Sequence, residues 1–216
     1  MKSEDITIRE NFEPMVRLDP AEFDLKPQYF KQGLTKDNSA WLRETVVEKL
    51  RAVKAMLPPG WNIRIWDAWR SMELQAALYD KYLKQAKKNN PTFSDSEARA
   101  SLIGYIYPPI SNPPPPHSTG GVIDLTFVDE NGQAVDFGTG FDDLSERANI
   151  DYFDRHTPST KADTQAKQHR TELIYFMNLQ DFVVNPKEWW HFAYGTAQWA
   201  AAKGIERAIY GMTKPQ

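Results

Sequence analysis

A proline-rich stretch near the middle of the chain places the strongest constraint on its fold. Pro108 and Pro109 are followed shortly by the run Pro113–Pro116. Proline lacks a backbone N–H and fixes φ, so this stretch cannot be a helix interior or a central strand. We therefore expect a stiff, extended segment. Because it runs directly into His117, we interpret it as a rigid approach to a functional site rather than as a linker.

Hydrophobic spacing predicts several regular elements ahead of the prolines. Apolar residues recur at three- and four-residue steps from Leu42 to Leu57, and Pro58-Pro59-Gly60 ends this pattern. The predicted elements in chain order are a helix over 39–57, a strand over 61–68, a helix over 72–88 and a helix from Ser94 that fades near Tyr107. Residues 1–35 are rich in loop signals and have no assigned structure.

The second half of the chain alternates strand and helix signals. Its predicted elements are a strand over 122–128, a returning strand over 134–137, a helix over 164–180, an aromatic strand over 188–194 and a helix over 198–209. Residues 138–151 resemble a loop. This order predicts an α+β fold in which helices pack on a small antiparallel sheet. We expect one domain over residues 1–216, with 1–35 as an N-terminal extension packed against it.

Composition excludes several classes of function. The chain has 26 Lys and Arg against 29 Asp and Glu, a net charge of -3, so it lacks the basic excess of a nucleic-acid binder. It has no cysteine, which excludes disulfides, thiolate ligands and a cysteine nucleophile. The N-terminus has no apolar signal region, and no apolar stretch approaches the roughly 18 residues of a membrane span. We expect a soluble, cytoplasmic protein.

Two of the four histidines lie in patterns that predict a metal site. His117 and Asp124 are seven positions apart and would point to opposite faces of a regular strand. A bend at Gly120-Gly121 would let both side chains converge on one point. His191 lies in the aromatic strand, three residues after Glu188. A lone histidine is more often structural than ligating, so the joint pattern carries this prediction.

Two imidazoles and a carboxylate are a typical ligand set of catalytic zinc, with a fourth position open for water. Zinc lowers the pKa of such a water to about 7. Glu188 is then placed to take the proton and pass it to a leaving amine. The competing interpretation is a globular protein without metal, in which these residues are structural.

These motifs resemble those of the D-alanyl-D-alanine dipeptidases, the VanX-type zinc metallopeptidases. The segments that carry the resemblance are residues 57–60, 67–70, 117–126, 137–142 and 188–191. The resemblance implies one Zn²⁺ per chain, bound by His117, Asp124 and His191. It also implies that Glu188 is the general base and acid.

The resemblance assigns two further residues. Arg70 would stabilise the tetrahedral intermediate, as a fixed guanidinium can donate to a developing oxyanion; without the family, a structural salt bridge would be the preferred reading. Asp142 would lie near the free ammonium of the dipeptide substrate.

The chain departs from the family pattern at four positions, which are Ser71, Pro115, Val122 and Ala193. Pro115 offers neither a side-chain donor nor a backbone N–H, so substrate contacts there must differ and leave the exact dipeptide preference open.

The leading hypothesis is hydrolysis of D-Ala-D-Ala, in dipeptide recycling or in glycopeptide resistance. The alternatives are a D,D-carboxypeptidase acting on peptidoglycan stem peptides and a non-catalytic zinc-binding module. Glu188 and Arg70 argue against the module, which has no need of a base or an oxyanion donor. The oligomeric state stays open.

Overall fold

A computed structural model describes residues 1–216. The helices are α1 (Gln28–Lys31), α2 (Glu44–Ala55), α3 (Met72–Asn89), α4 (Asp95–Ser101), α5 (Tyr152–Arg155), α6 (Lys161–Leu179) and α7 (Ala197–Lys203). The strands are β1 (Thr7–Ile8), β2 (Met15–Arg17), β3 (Asp24–Leu25), β4 (Trp41–Arg43), β5 (Asn62–Asp67), β6 (Val122–Val128), β7 (Val183–Asn185), β8 (Glu188–Ala193) and β9 (Arg207–Ala208). Short 3-10 turns occupy Ser3–Asp5, Pro116–Thr119 and Glu146–Ala148.

The central sheet has five strands in the order β3-β5-β6-β8-β7. The β5-β6, β6-β8 and β7-β8 pairs are antiparallel, as predicted. The prediction of a purely antiparallel sheet is wrong at one edge, where β3 pairs with β5 in parallel. The chain between these two strands includes helix α2, which provides the crossover that a parallel pair requires. The fold is therefore mixed α and β, with a mixed sheet.

The main core joins the sheet to helices α2 and α6. The helices contribute Val46, Val47, Leu50, Val53, Leu173 and Met177, and the strands contribute Ile63, Ile65, Ile123, Leu125, Trp189 and Phe192. Every residue of β6 and of β8 is buried. Side chains that project from these two strands are consequently held by the best-packed part of the molecule.

Two predicted helices are shorter than expected, because strand pairing takes over their ends. The helix predicted over 39–57 begins at Glu44, since Trp41–Arg43 form β4 and pair with β2. The helix predicted over 198–209 spans Ala197–Lys203. Gly204 adopts a left-handed φ of 69° at its C-terminus and ends it.

Two other predicted elements also differ from the structure. The third helix ends at Ser101 rather than near Tyr107. The returning strand over 134–137 is reduced to one isolated bridge between Val128 and Ala134. The chain there follows the Asn131-Gly132 turn and then leaves the sheet.

The first 35 residues lie against the rest of the chain. Strand β1 pairs in parallel with β9, so Thr7 lies beside Arg207. Leu18 and Phe23 enter the main core, and Tyr29 joins a second buried cluster with side chains of α3. No helix in the structure has the length and apolar character needed to cross a membrane.

Candidate metal centre and active site

Three predicted ligands meet at one point of the central sheet. Asp124 on β6 lies directly opposite His191 on β8 in the antiparallel register. His117 reaches the same point from the 3-10 turn Pro116–Thr119, at the end of the proline-rich segment. One nitrogen or oxygen atom from each side chain lies within 4.8 Å of the others, and all three residues are buried.

The predicted bend between His117 and Asp124 is present. Gly120 has a left-handed φ of 72°, which glycine adopts without steric cost. At Gly121, an added Cβ would collide with the carbonyl oxygen of Tyr194. The Gly-Gly pair therefore lets the chain turn sharply from the loop into the buried strand.

The donor atoms face a common centre. His117 Nε2 lies 3.4 Å from Asp124 Oδ2, and His191 Nδ1 lies 3.1 Å from Asp124 Oδ1. Despite this proximity, Asp124 Oδ1 is buried without a hydrogen bond of acceptable geometry. A buried carboxylate oxygen without a partner is costly unless a cation satisfies it. Two imidazoles and one carboxylate match the ligand set of a catalytic zinc site, so these residues fit a Zn²⁺ ion.

The electrostatics also favour an ionised Asp124. Burial alone would raise the pKa of this carboxyl group, but the adjacent imidazoles of His117 and His191 outweigh burial and hold the pKa below its usual range. A carboxylate that stays charged while buried is a ready ligand for a cation.

Neighbouring groups orient both ligand imidazoles. His117 Nδ1 lies 2.7 Å from the Ala68 carbonyl oxygen and 3.3 Å from Asp67 Oδ2, which leaves Nε2 directed at the centre. His191 Nε2 lies 3.3 Å from Gln198 Oε1, which leaves Nδ1 directed there. Such outer contacts fix the tautomer and the ring plane of a ligand histidine. Sequence reasoning did not assign Asp67 this position, although the residue lies in the 67–70 motif.

Glu188 lies next to the three ligands. Its Oε2 atom is 3.6 Å from His191 Nδ1 and accepts a hydrogen bond of 2.7 Å from Asn185 Nδ2. Burial raises the pKa of Glu188 to about 8. A carboxyl group with a raised pKa beside a reaction centre can both accept and donate a proton near neutral pH. Asn185, which holds this carboxyl group, was not found from the sequence.

Arg70 follows β5 and reaches into the same cavity. Its Nη2 atom donates to Asp67 Oδ2 at 2.6 Å, and its Nη1 atom donates to Gln75 Oε1 at 2.8 Å. Burial opposes its charge, but Asp67 more than offsets that effect and holds the pKa of Arg70 above its usual value. Arg70 therefore forms a structural salt bridge with Asp67 and also faces the cavity.

Asp142 lies on the other side of the cavity, in the loop after Phe137. Its backbone has a left-handed φ of 60°, and its Oδ1 atom accepts a hydrogen bond of 3.1 Å from the Tyr29 hydroxyl. The Oδ2 atom is buried and has no hydrogen-bond partner. Burial raises the pKa of Asp142 to about 6.

All six predicted site residues line or border one compact cavity, which has about 550 Å³ of empty space including its mouth. The sequence did not identify several other residues that line the cavity, which include Tyr29, Gln75, Tyr82, Tyr105, Tyr107 and Asn185. Only Asn185 among these lies close in sequence to a recognised motif. The departure at Ser71 has a structural role, since its hydroxyl accepts a hydrogen bond from Leu74 N and caps α3.

Two curated dipeptidases are similar to this chain in sequence, and one solved structure is similar in fold. A D-alanyl-D-alanine dipeptidase of Synechocystis sp. is 32% identical, over 74% of this chain and 71% of that protein. A D-alanyl-D-alanine dipeptidase of Escherichia coli K12 is 38% identical, over 69% of this chain and 64% of that protein. Among solved structures, the D,D-pentapeptidase VanY of a VanB-type resistance cassette, in complex with Zn(II), is similar at a TM-score of 0.46 and 13% identity, over 94% of this chain and 96% of that one.

The family assignment rests on most of the sequence. Residues 29–209 match the Peptidase_M15 family, described as D-ala-D-ala dipeptidase. This range contains both strands that carry the metal-site residues and every predicted site residue. The chain belongs to the D-Ala-D-Ala dipeptidase family of M15 peptidases.

Proposed function

We propose that this chain is a zinc dipeptidase that hydrolyses D-alanyl-D-alanine to two molecules of D-alanine. The observation that carries the proposal is the meeting of three ligand side chains, a buried carboxyl group and a buried guanidinium in one cavity. The family membership and the two dipeptidase relatives support the substrate.

The metal site is proposed to consist of His117 Nε2, Asp124 and His191 Nδ1. When bound, a Zn²⁺ ion supplies a Lewis acid that polarises a carbonyl oxygen and activates water. The absence of cysteine and the nitrogen and oxygen donors of this site favour zinc over ions that require thiolates.

Glu188 is proposed to move the proton. Its carboxylate takes a proton from the attacking water and gives it to the departing amine as the peptide bond breaks. Burial raises the pKa of Glu188 to about 8, and a cation bound beside it lowers that pKa towards neutrality. Asn185 donates to Oε2 and so keeps the carboxyl group directed at the site.

Arg70 is proposed to stabilise the negative charge of the oxyanion, and Asp142 is proposed to bind the positive charge of the substrate ammonium. The Asp67 carboxylate and the Gln75 amide hold the Arg70 guanidinium at two sides, so it is positioned to donate to the oxyanion. Asp142 presents a free carboxylate oxygen to the substrate ammonium. Recognition of an unblocked amine distinguishes a dipeptidase from a carboxypeptidase that accepts longer stem peptides.

Two alternatives remain distinguishable from this proposal. A D,D-carboxypeptidase would accept D-Ala-D-Ala at the end of a longer, N-blocked peptide, whereas Asp142 favours a free amine. A non-catalytic zinc module would bind the metal without turnover. A cytoplasmic location and a role in either dipeptide recycling or glycopeptide resistance stay predictions.

The decisive experiment measures D-alanine release from D-Ala-D-Ala by the zinc-loaded wild type and by Glu188→Gln. General acid and base catalysis contributes about 10²- to 10⁴-fold, so kcat should fall by that factor while zinc content stays at one ion per chain. An N-acetylated D-Ala-D-Ala peptide serves as the second substrate. Turnover of the acetylated peptide alone would favour the carboxypeptidase, and zinc binding without turnover of either substrate would favour the module.

A further inference from the structure

Tyr29 is a cavity residue that no motif of the sequence pointed to. It lies in α1, within the N-terminal segment, and its side chain is buried at 4% exposure. It nevertheless lines the cavity that contains the metal-site residues. The N-terminal segment therefore supplies part of the wall of the active site.

The Tyr29 hydroxyl contacts one carboxylate oxygen of Asp142. It donates to Asp142 Oδ1 at 3.1 Å, while Oδ2 has no partner and remains available. A carboxylate with one oxygen held in this way loses rotational freedom about its terminal bond, so its second oxygen has a fixed direction. Burial raises the pKa of Asp142, and the hydroxyls of Tyr82 and Tyr29 both act to lower it, Tyr82 with the larger effect, so both offset part of the cost of burying the carboxylate.

The Tyr29 ring is itself held in place. Its face lies against the Arg70 guanidinium, with 5.2 Å from the guanidinium carbon to the ring centroid. The Phe141 ring packs on it at 5.9 Å between centroids. Because the ring is confined from these sides, the hydroxyl has little freedom to follow a displaced Asp142.

We propose that Tyr29 is a positioning residue that directs one oxygen of Asp142 at the substrate ammonium and thereby sets the enzyme's preference for a free amino group. This inference rests on the proposed dipeptidase function. It adds a residue from outside the sequence motifs and assigns the N-terminal segment a part in substrate selection.

The test is Tyr29→Phe, which removes only the hydroxyl. Binding is measured by calorimetry on the zinc-loaded protein in a Glu188→Gln background, so that the ligand is not consumed. The two ligands are D-Ala-D-Ala and N-propionyl-D-alanine, which has the same skeleton without the amino group. We expect Kd for D-Ala-D-Ala to rise about tenfold, or about 1.4 kcal/mol, with no change for the analogue.

Two further variants separate positioning from general loss of structure. Tyr79→Phe removes another buried tyrosine hydroxyl from the same hydrophobic cluster, at a residue that does not line the cavity, and should leave the ratio of the two Kd values unchanged. In an Asp142→Asn background, Tyr29→Phe should no longer alter that ratio, because the two residues act through one contact.

The outcomes distinguish the two proposals. An unchanged ratio in Tyr29→Phe, or equal weakening of both ligands, overturns the positioning role while D-alanine release by the wild type upholds the function. If the wild type releases no D-alanine and binds the two ligands equally, the dipeptidase function and the positioning role both fail.

Discussion

Replacement of Asp142 by asparagine should change stability and substrate binding in opposite directions. Burial raises the pKa of this carboxyl group from 3.8 to about 6, so the folded protein holds a charge there at a cost. The variant keeps the shape of the side chain and removes the charge. The free protein should therefore become more stable, while the complex with a cationic substrate becomes weaker.

The size of the stability change follows from how far burial raises the pKa of Asp142. A displacement of about two pKa units corresponds to about 3 kcal/mol, at 1.36 kcal/mol per unit. A raised carboxyl pKa means that the folded state binds the proton more tightly than the unfolded state. The penalty is therefore absent below about pH 4, grows between pH 4 and 6, and is fully present above pH 6. The unfolding free energy of Asp142→Asn should therefore exceed that of the wild type by up to about 3 kcal/mol, and only above about pH 6.

The assay is urea unfolding of the zinc-free wild type and Asp142→Asn at several pH values from 4 to 7.5. The difference between the two unfolding free energies isolates this one group, because the remaining titratable groups are shared. In parallel, KM for D-Ala-D-Ala should rise about 10- to 100-fold at pH 7.5, the range for loss of a hydrogen bond to a charged group. The two KM values should converge as the pH falls, since protonation of the wild-type carboxyl group removes the charge that the variant lacks.

A stability difference that stays constant with pH would refute the assigned burial cost. An Asp142→Asn protein that is less stable at pH 7.5 would show that the carboxylate stabilises the fold. If KM is unchanged at pH 7.5, Asp142 does not contact the ammonium, whatever the unfolding data show.

Three further predictions concern the metal site and its supporting turn. Removal of zinc with a chelator should abolish D-alanine release and lower Tm, and added Zn²⁺ should restore both, since an ion at a thousandfold excess over its Kd adds about 4 kcal/mol. Asp67→Asn should weaken zinc affinity about 10- to 100-fold by loosening His117, as chelator competition would detect; unchanged affinity would contradict that role. Gly121→Ala should destabilise the fold by more than about 2 kcal/mol in urea, because the new Cβ meets the Tyr194 carbonyl oxygen. Gly140→Ala, with open space around it, is the matched control and should differ little from the wild type.

The sequence predicted the parts of the site that are encoded locally. The bend at Gly120-Gly121, the buried strand that carries Asp124 and the strand that carries His191 all have local signatures. Asp124 and His191 meet because the β6-β8 register places them opposite each other. The motif order of the family then assigned Glu188 its position beside them.

The remainder depends on contacts between distant parts of the chain. Strands β1, β2 and β3 have only two or three residues each, so they carry no hydrophobic period and exist through pairing with β9, β4 and β5. Tyr29 reaches Asp142 across 113 positions, and no local pattern reports such a contact. Trp41–Arg43 continue the apolar spacing of α2, yet pairing with β2 overrides their helical tendency.

The parallel pairing of β1 with β9 has a mechanical consequence. Backbone hydrogen bonds join the two ends of the chain, among them those from Thr7 N to Glu206 O, Arg9 N to Ala208 O and Asn11 N to Ile209 O. Because the strands run in the same direction, a force that pulls the two ends apart loads these bonds together in shear rather than opening them one by one. We therefore expect the protein to resist stretching until this clamp ruptures as a unit. Continued pulling from the N-terminal side would then separate β2 from β4, and β3 from β5 at the edge of the central sheet, before it reached Tyr29. The cavity would therefore lose its Tyr29 wall only after the sheet had lost an edge strand.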